Sequence, residues 1–137
     1  MKSKVSGDGK RGARPILDRT KQFVLRIVRL YVALPKTTEA QVLGRQVLKS
    51  GTSVGAHCRE GHRGRSRAEF VSKINGALME MEETGYWLEL LAEAEIVSAR
   101  RLVGLRREAD ELTAILVSII KNARHGMKTR TRRGKSE

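Results

Sequence analysis

The sequence is short of the residues that most sharply restrict a fold. Of 137 residues one is cysteine, two are proline, and Phe, Tyr and Trp together make up 4%. A lone Cys58 excludes an internal disulfide and leaves no Cys-x-x-Cys pair for a zinc framework. Prolines at 15 and 35 leave everything after residue 35 free of an obligatory helix break. Scarce aromatics argue against base reading by stacking, so contacts to shape or phosphate are the expected mode if nucleic acid binds. No apolar run approaches the ~18 residues that a membrane span needs. The N-terminal MKSKVSGDGKRGARP is basic but has no apolar core of a secretory signal. A cytoplasmic location and no membrane partner are therefore expected.

What is abundant is positive charge: 28 Lys and Arg face 15 Asp and Glu, a net +13. The excess is uneven, with +4 in residues 1–14, +6 in residues 121–137 and +3 in the long middle. Neither end carries enough apolar surface to offset its ordering entropy. The expected organisation is a disordered basic arm over 1–14, one helical domain over 15–124, and a disordered basic tail over 125–137.

The middle reads as helix. Leu17, Val24, Val28 and Tyr31, beside Phe23, Ile27 and Leu30, recur at helical spacing until Pro35. Thr38 followed by Gln41 forms a capping-box pattern that opens a second helix, running to about Glu60. GHRGR breaks it, and Ser66 with Glu69 opens a third helix striped by Phe70, Ile74, Ala77, Met81, Leu88 and Leu91. After a reset at 95–98, a fourth helix carries Leu102, Leu105, Ala109, Leu112, Ile115, Leu116 and Ile119. Short connections force antiparallel neighbours, so the predicted fold is all-α, an up-and-down antiparallel four-helix bundle. Gly44, Gly51, Gly55 and Cys58 share one face of the second helix. Each mid-helix glycine costs on the order of 1 kcal/mol against alanine, which points to close approach of another backbone.

VGAHCREGHRGRSRAEF, residues 54–70, is the densest cluster of chemistry-bearing side chains. His57 and His62 lie five apart across a helix end, and Cys58 points about 100° away from His57. Four converging ligands are not in sight, nor is an acid or oxyanion-hole motif beside a Cys–His pair. Glu60, Glu69, Glu80, Glu82 and Glu83 read as a solvated or salt-bridged face, and GHRGRS lacks the Lys-Ser/Thr ending of a phosphate loop. No enzyme activity, metal or cofactor is expected.

SGTSVGAHCREGHRGRSRAEFVSKINGALMEMEETGYWLELL, residues 50–91, resembles the signature of bacterial four-helix-bundle proteins encoded in intervening sequences of large-subunit ribosomal RNA. Ser53, Val54, Gly55, Ala56, Arg59, Glu60, Ser66, Glu69, Phe70, Lys73, Glu80, Glu83, Thr84, Tyr86, Trp87 and Leu88 carry the likeness. His57 stands where Asn is usual, and Cys58 where a larger residue is common. Weaker agreement extends it over about residues 16–124. The resemblance implies a non-enzymatic basic bundle that assembles as a homopentamer. A related branch, the accessory variability proteins of diversity-generating retroelements, implies an adapter that binds a reverse transcriptase and nucleic acid, RNA or DNA.

Independently of that likeness, the basic residues suggest where nucleic acid would bind. Lys121, Arg124, Lys128, Arg130, Arg132, Arg133 and Lys135 can follow a phosphate chain, and the topology brings Arg63, Arg65 and Arg67 to the same end of the bundle. Arg100, Arg101, Arg106 and Arg107 form a second candidate patch. Arg100 and Arg101 occupy a first helical turn, where the macrodipole disfavours cations, although pairing with Glu89, Glu93 and Glu95 is an equally good account. Tyr86 and Trp87 point about 100° apart, so one can enter the core and the other an oligomer interface. Two classes of function stay open: a nucleic-acid-binding adapter, or a structural or protein-interaction bundle without a specific nucleic acid role.

Overall fold

A computed structural model describes residues 8–136, with side chains described for residues 15–127. Four helices account for the fold: α1 (Asp8–Ala33), α2 (Thr38–His62), α3 (Arg67–Glu93) and α4 (Ala99–Ser136). No strand occurs among the described residues. Each helix packs on its neighbours in sequence and α4 closes against α1, which is the up-and-down bundle that the periodicity predicts. The α2–α3 interface is the most extensive and the α1–α4 seam the thinnest.

The core follows the predicted stripes in α3 and α4, except that Val71 and not Phe70 is buried, while in α1 Ile16 and Thr20 are buried and the expected Leu17, Val24, Val28 and Tyr31 are half-buried. Ile74, Ala77, Met81, Leu88 and Leu91 of α3 meet Leu102, Leu105, Ala109, Leu112 and Leu116 of α4, with Phe23 and Ile27 from α1 and Val47 and Val54 from α2. Ile115 and Ile119 are only half-buried; Ile120 and Ala123 complete the α4 stripe instead. Each fully buried Leu, Ile or Phe contributes roughly 1.5–3 kcal/mol. Thr84 and Ser50 add a buried hydroxyl contact of 2.8 Å between α2 and α3. Ser50 also donates to the Gln46 carbonyl, so neither hydroxyl is stranded in the core.

The small-residue face of α2 receives α1. A Cβ on Gly51 would stand 2.9 Å from Ile27 Cγ2, and one on Gly55 would stand 3.0 Å from Val24 Cγ2. Close packing thus explains the glycines.

Local details differ from expectation in two places. Thr37, not Thr38, caps α2, its side chain accepting from the Ala40 N–H. Gln41 does not close a capping box; its amide donates to the Pro35 carbonyl. Helix also enters both segments expected to be disordered: α1 begins at Asp8 and α4 continues to Ser136. Lys, Arg and Met after Asn122 are good helix formers, whereas Pro15 stands inside α1 and removes the bond that an N–H there would give to the Arg11 carbonyl, so the stretch before it joins the helix at a cost. Elongating an existing helix avoids the nucleation cost. Residues 1–7 and 137 of those two arms lie outside the described residues.

Candidate nucleic-acid interface

The α2–α3 turn is built to present arginine. Ser66 Oγ accepts the Glu69 N–H at 3.1 Å, and Glu69 Oε1 reaches back to the Arg65 N–H at 3.0 Å. Gly64 fits where a Cβ would lie 3.1 Å from the Gly61 carbonyl oxygen. Held this way, Arg63, Arg65 and Arg67 are all exposed. Arg67 reaches α4, its Nη1 3.0 Å from where a Cβ on Gly126 would be. Lys121 and Arg124 are exposed near the same end of α4, on the side of the helix away from Gly126.

None of these five cations is in an ion pair among the described residues. The nearby acids are otherwise engaged: Glu60 pairs with Lys73 at 3.2 Å and Glu69 accepts from the backbone. With five unpaired cations against the single carboxylate of Glu69 in the turn, this end of the bundle is predominantly positive. The α4 backbone continues through Lys128, Arg130, Arg132, Arg133 and Lys135, whose side chains lie outside the described residues.

The second candidate patch does not hold together. Arg106 borders a shallow pocket with Glu82, Glu89 and Asp110, an acidic setting that would repel phosphate. Arg101 faces the other way, into a cavity beside α1, where it joins Arg26 and Arg29. Arg100 and Arg107 are exposed, and no ion pair to Glu89, Glu93 or Glu95 forms among the described residues. Arg26 and Arg29 were missed from sequence because they sit on α1 with no local motif around them.

Tyr86 and Trp87 divide as their spacing requires. Trp87 packs against the core while its indole N–H donates to Glu83, and Tyr86 is exposed, its ring edge-on to the indole at 5.0 Å. The histidine–cysteine stretch also separates. Cys58 is buried, and burial pushes its thiol up to about 11, partly offset by a contact with the Thr20 hydroxyl. His57 lies over Gly76, its shielded Nδ1 3.6 Å from Glu60, beyond hydrogen-bond reach. No group of three His, Cys, Asp or Glu side chains converges among the described residues.

The family described as 23S rRNA-intervening sequence protein matches residues 15–131. The chain belongs to this family. The match takes in all of α2, α3 and the turn between them, and most of α1 and α4. In three dimensions the chain is similar to a crystal structure of a protein of unknown function from the S23 ribosomal protein family of Bacteroides thetaiotaomicron VPI-5482. The two are 39% identical with a TM-score of 0.76, over 80% of this chain and 98% of that one. No curated protein matches the chain. No described helix is long and apolar enough to cross a membrane. Family membership thus accounts for the bundle and for residues 50–91.

Proposed function

We propose that the protein is a non-enzymatic, cytoplasmic nucleic-acid-binding adapter that grips phosphate through the end of the bundle holding the α2–α3 turn. The observation that carries this reading is the meeting of Arg67 with the α4 backbone at Gly126. It brings Arg67 onto α4 at the end of the bundle where Lys121 and Arg124 are also exposed, and none of the five cations, Arg63 and Arg65 included, has an ion-pair partner among the described residues. Charge of this kind binds by counterion release and is blind to sequence. The assembly implied by the resemblance is a homopentamer, and the protein partner a reverse transcriptase of a diversity-generating retroelement. The exposed Tyr86 is the residue we assign to the oligomer contact, with Trp87 supporting it from the core side.

The test is a salt series of RNA and DNA binding constants for three proteins: the full chain, a chain ending at Asn122, and Arg63→Gln/Arg65→Gln/Arg67→Gln. Each lost phosphate contact lowers the log–log slope by ~0.7–0.9. Truncation is expected to flatten the slope by several units and the triple variant by about two. Absence of binding by the full chain at low salt would refute the reading and leave the structural-interaction class.

A further inference from the structure

At the opposite end of the bundle, α1 and α4 part to leave a cavity of about 580 Å³ beneath the α3–α4 turn. Leu34, Leu102 and Leu105, all buried, form its floor, and Leu30, Ile96 and Val97 its half-buried walls. Arg26, Arg29 and Arg101 stand around the mouth, exposed.

The α1–α4 seam shows two treatments of arginine. At one level Arg19 reaches across from α1 and is answered by α4, bonding Glu108 at 2.7 Å and Glu111 at 3.0 Å. Two turns further along α1, Arg26 reaches across in the same way and meets no carboxylate. Its Nη2 lies 3.2 Å from where a Cβ on Gly104 would be. Arg29 and Arg101 are likewise without an ion pair among the described residues. Three guanidinium groups around one cavity repel one another, and Arg101 sits in the first turn of α4, where the helix dipole adds to the cost. Folding gains nothing from this arrangement, whereas an anionic ligand would.

Guanidinium forks suit carboxylate and phosphate alike. The floor discriminates. A phosphate backbone would satisfy the rim but leave the half-buried Leu30, Ile96 and Val97 against water. A cavity in the ~300–1,000 Å³ range that is apolar inside and charged at its edge accepts a ligand with both characters. An apolar centre with arginine at its border is also the usual anatomy of a protein–protein contact.

We propose that this cavity is the docking site for an acidic peptide segment of a protein partner. An aliphatic or aromatic side chain of that segment seats against Leu30, Ile96 and Val97 above the buried leucine floor, and flanking carboxylates engage Arg26, Arg29 and Arg101. The site lies at the end remote from the phosphate-binding surface and does not rest on that reading.

The probe is a fluorescein-labelled peptide of Glu, Leu and Phe, followed by anisotropy with the full chain. Two companion peptides are used, one with Gln for Glu and one with Ser for Leu and Phe. The native chain is expected to bind the parent peptide and to bind both companions at least about tenfold more weakly, because charge and anchor are each required. Arg26→Gln/Arg29→Gln/Arg101→Gln should weaken the parent peptide by a similar factor while keeping its helical circular dichroism. Gly104→Glu gives Arg26 an internal carboxylate and should weaken binding too. Arg63→Gln/Arg65→Gln/Arg67→Gln should leave the peptide affinity unchanged even as it lowers affinity for RNA. The proposal is overturned if the native chain does not bind the parent peptide at low salt. It is overturned equally if the cavity variants bind as well as native, or if the Ser peptide binds as well as the parent. Displacement of the peptide by RNA, with RNA binding abolished in the cavity triple variant, would assign the cavity to nucleic acid instead.

Discussion

Replacing Gly51 and Gly85 by alanine is the same chemical change in two helices, and the structure requires opposite outcomes. Both glycines are inside helices, so alanine gains ~1 kcal/mol of helix propensity at each. At Gly85 nothing lies within 4 Å of the added Cβ, and the whole gain should appear as stability. At Gly51 the new methyl would stand 2.9 Å from Ile27 Cγ2, 3.1 Å from Cγ1 and 3.3 Å from Cβ. Ile27 is fully buried and β-branched on a helix, so it cannot rotate away. Overpacking of this kind costs ~1–3 kcal/mol, which outweighs the propensity gain and leaves Gly51→Ala destabilised by ~1 kcal/mol. Urea unfolding followed by circular dichroism should move the midpoint up for Gly85→Ala and down for Gly51→Ala at constant m value. In an Ile27→Ala background the two shorter contacts are gone and only the 3.3 Å approach to Cβ remains, so Gly51→Ala should lose its penalty and become neutral or stabilising, a coupling of ~1–3 kcal/mol. If Gly51→Ala raises stability as Gly85→Ala does, the account of the glycine face as a seat for α1 is mistaken.

Glu95 ends α3 with φ 59°, its N–H bonded to the Ala92 carbonyl and the Ile96 N–H to Leu91. Glu95→Gly should therefore raise the unfolding free energy by ~1 kcal/mol, and an unchanged midpoint would count against strain at this position. Burial holds the Cys58 thiol near 11 against an ordinary 9.0. Iodoacetamide at pH 8 should then modify it only as the protein unfolds, and rapid labelling in native buffer would contradict this. Because the unfolded thiol ionises first, the stability tied to its burial is complete below pH 9 and falls as pH rises toward 11. Arg19→Ala removes both contacts to α4 and should cost ~0.5–1 kcal/mol, less at high salt, since the side chain is partly exposed. Hydrogen exchange should quicken in α1 ahead of α2, and uniform quickening would show that the seam is not the weak point.

The four helices were legible because apolar side chains in α3 and α4 repeat at the helical period over many turns. The Ser66 cap was legible from its Glu69 partner. Thr37 and Thr38 offer the same chemistry at adjacent positions, and the choice depends on Thr37 having extended backbone, φ −73° and ψ 159°, just where the chain turns into α2. The glycine face of α2 was visible in sequence, but which α1 side chains fill it depends on the register between helices. The basic end followed from topology alone, since an even number of antiparallel helices returns α4 to the α2–α3 turn. Arg26 and Arg29 gave no such signal. Their significance lies in what α4 fails to place opposite them, and the acidic surroundings of Arg106 are likewise a matter of cross-helix register.

Because successive helices are antiparallel, α1 starts and α4 ends toward the end of the bundle where Arg67 meets Gly126. Anything joined to the polypeptide at either terminus is therefore delivered to the cationic end, and a fusion partner or affinity tag would crowd that surface while sparing the arginine-rimmed cavity. Chains tethered to a sensor by their termini would present the cavity outward.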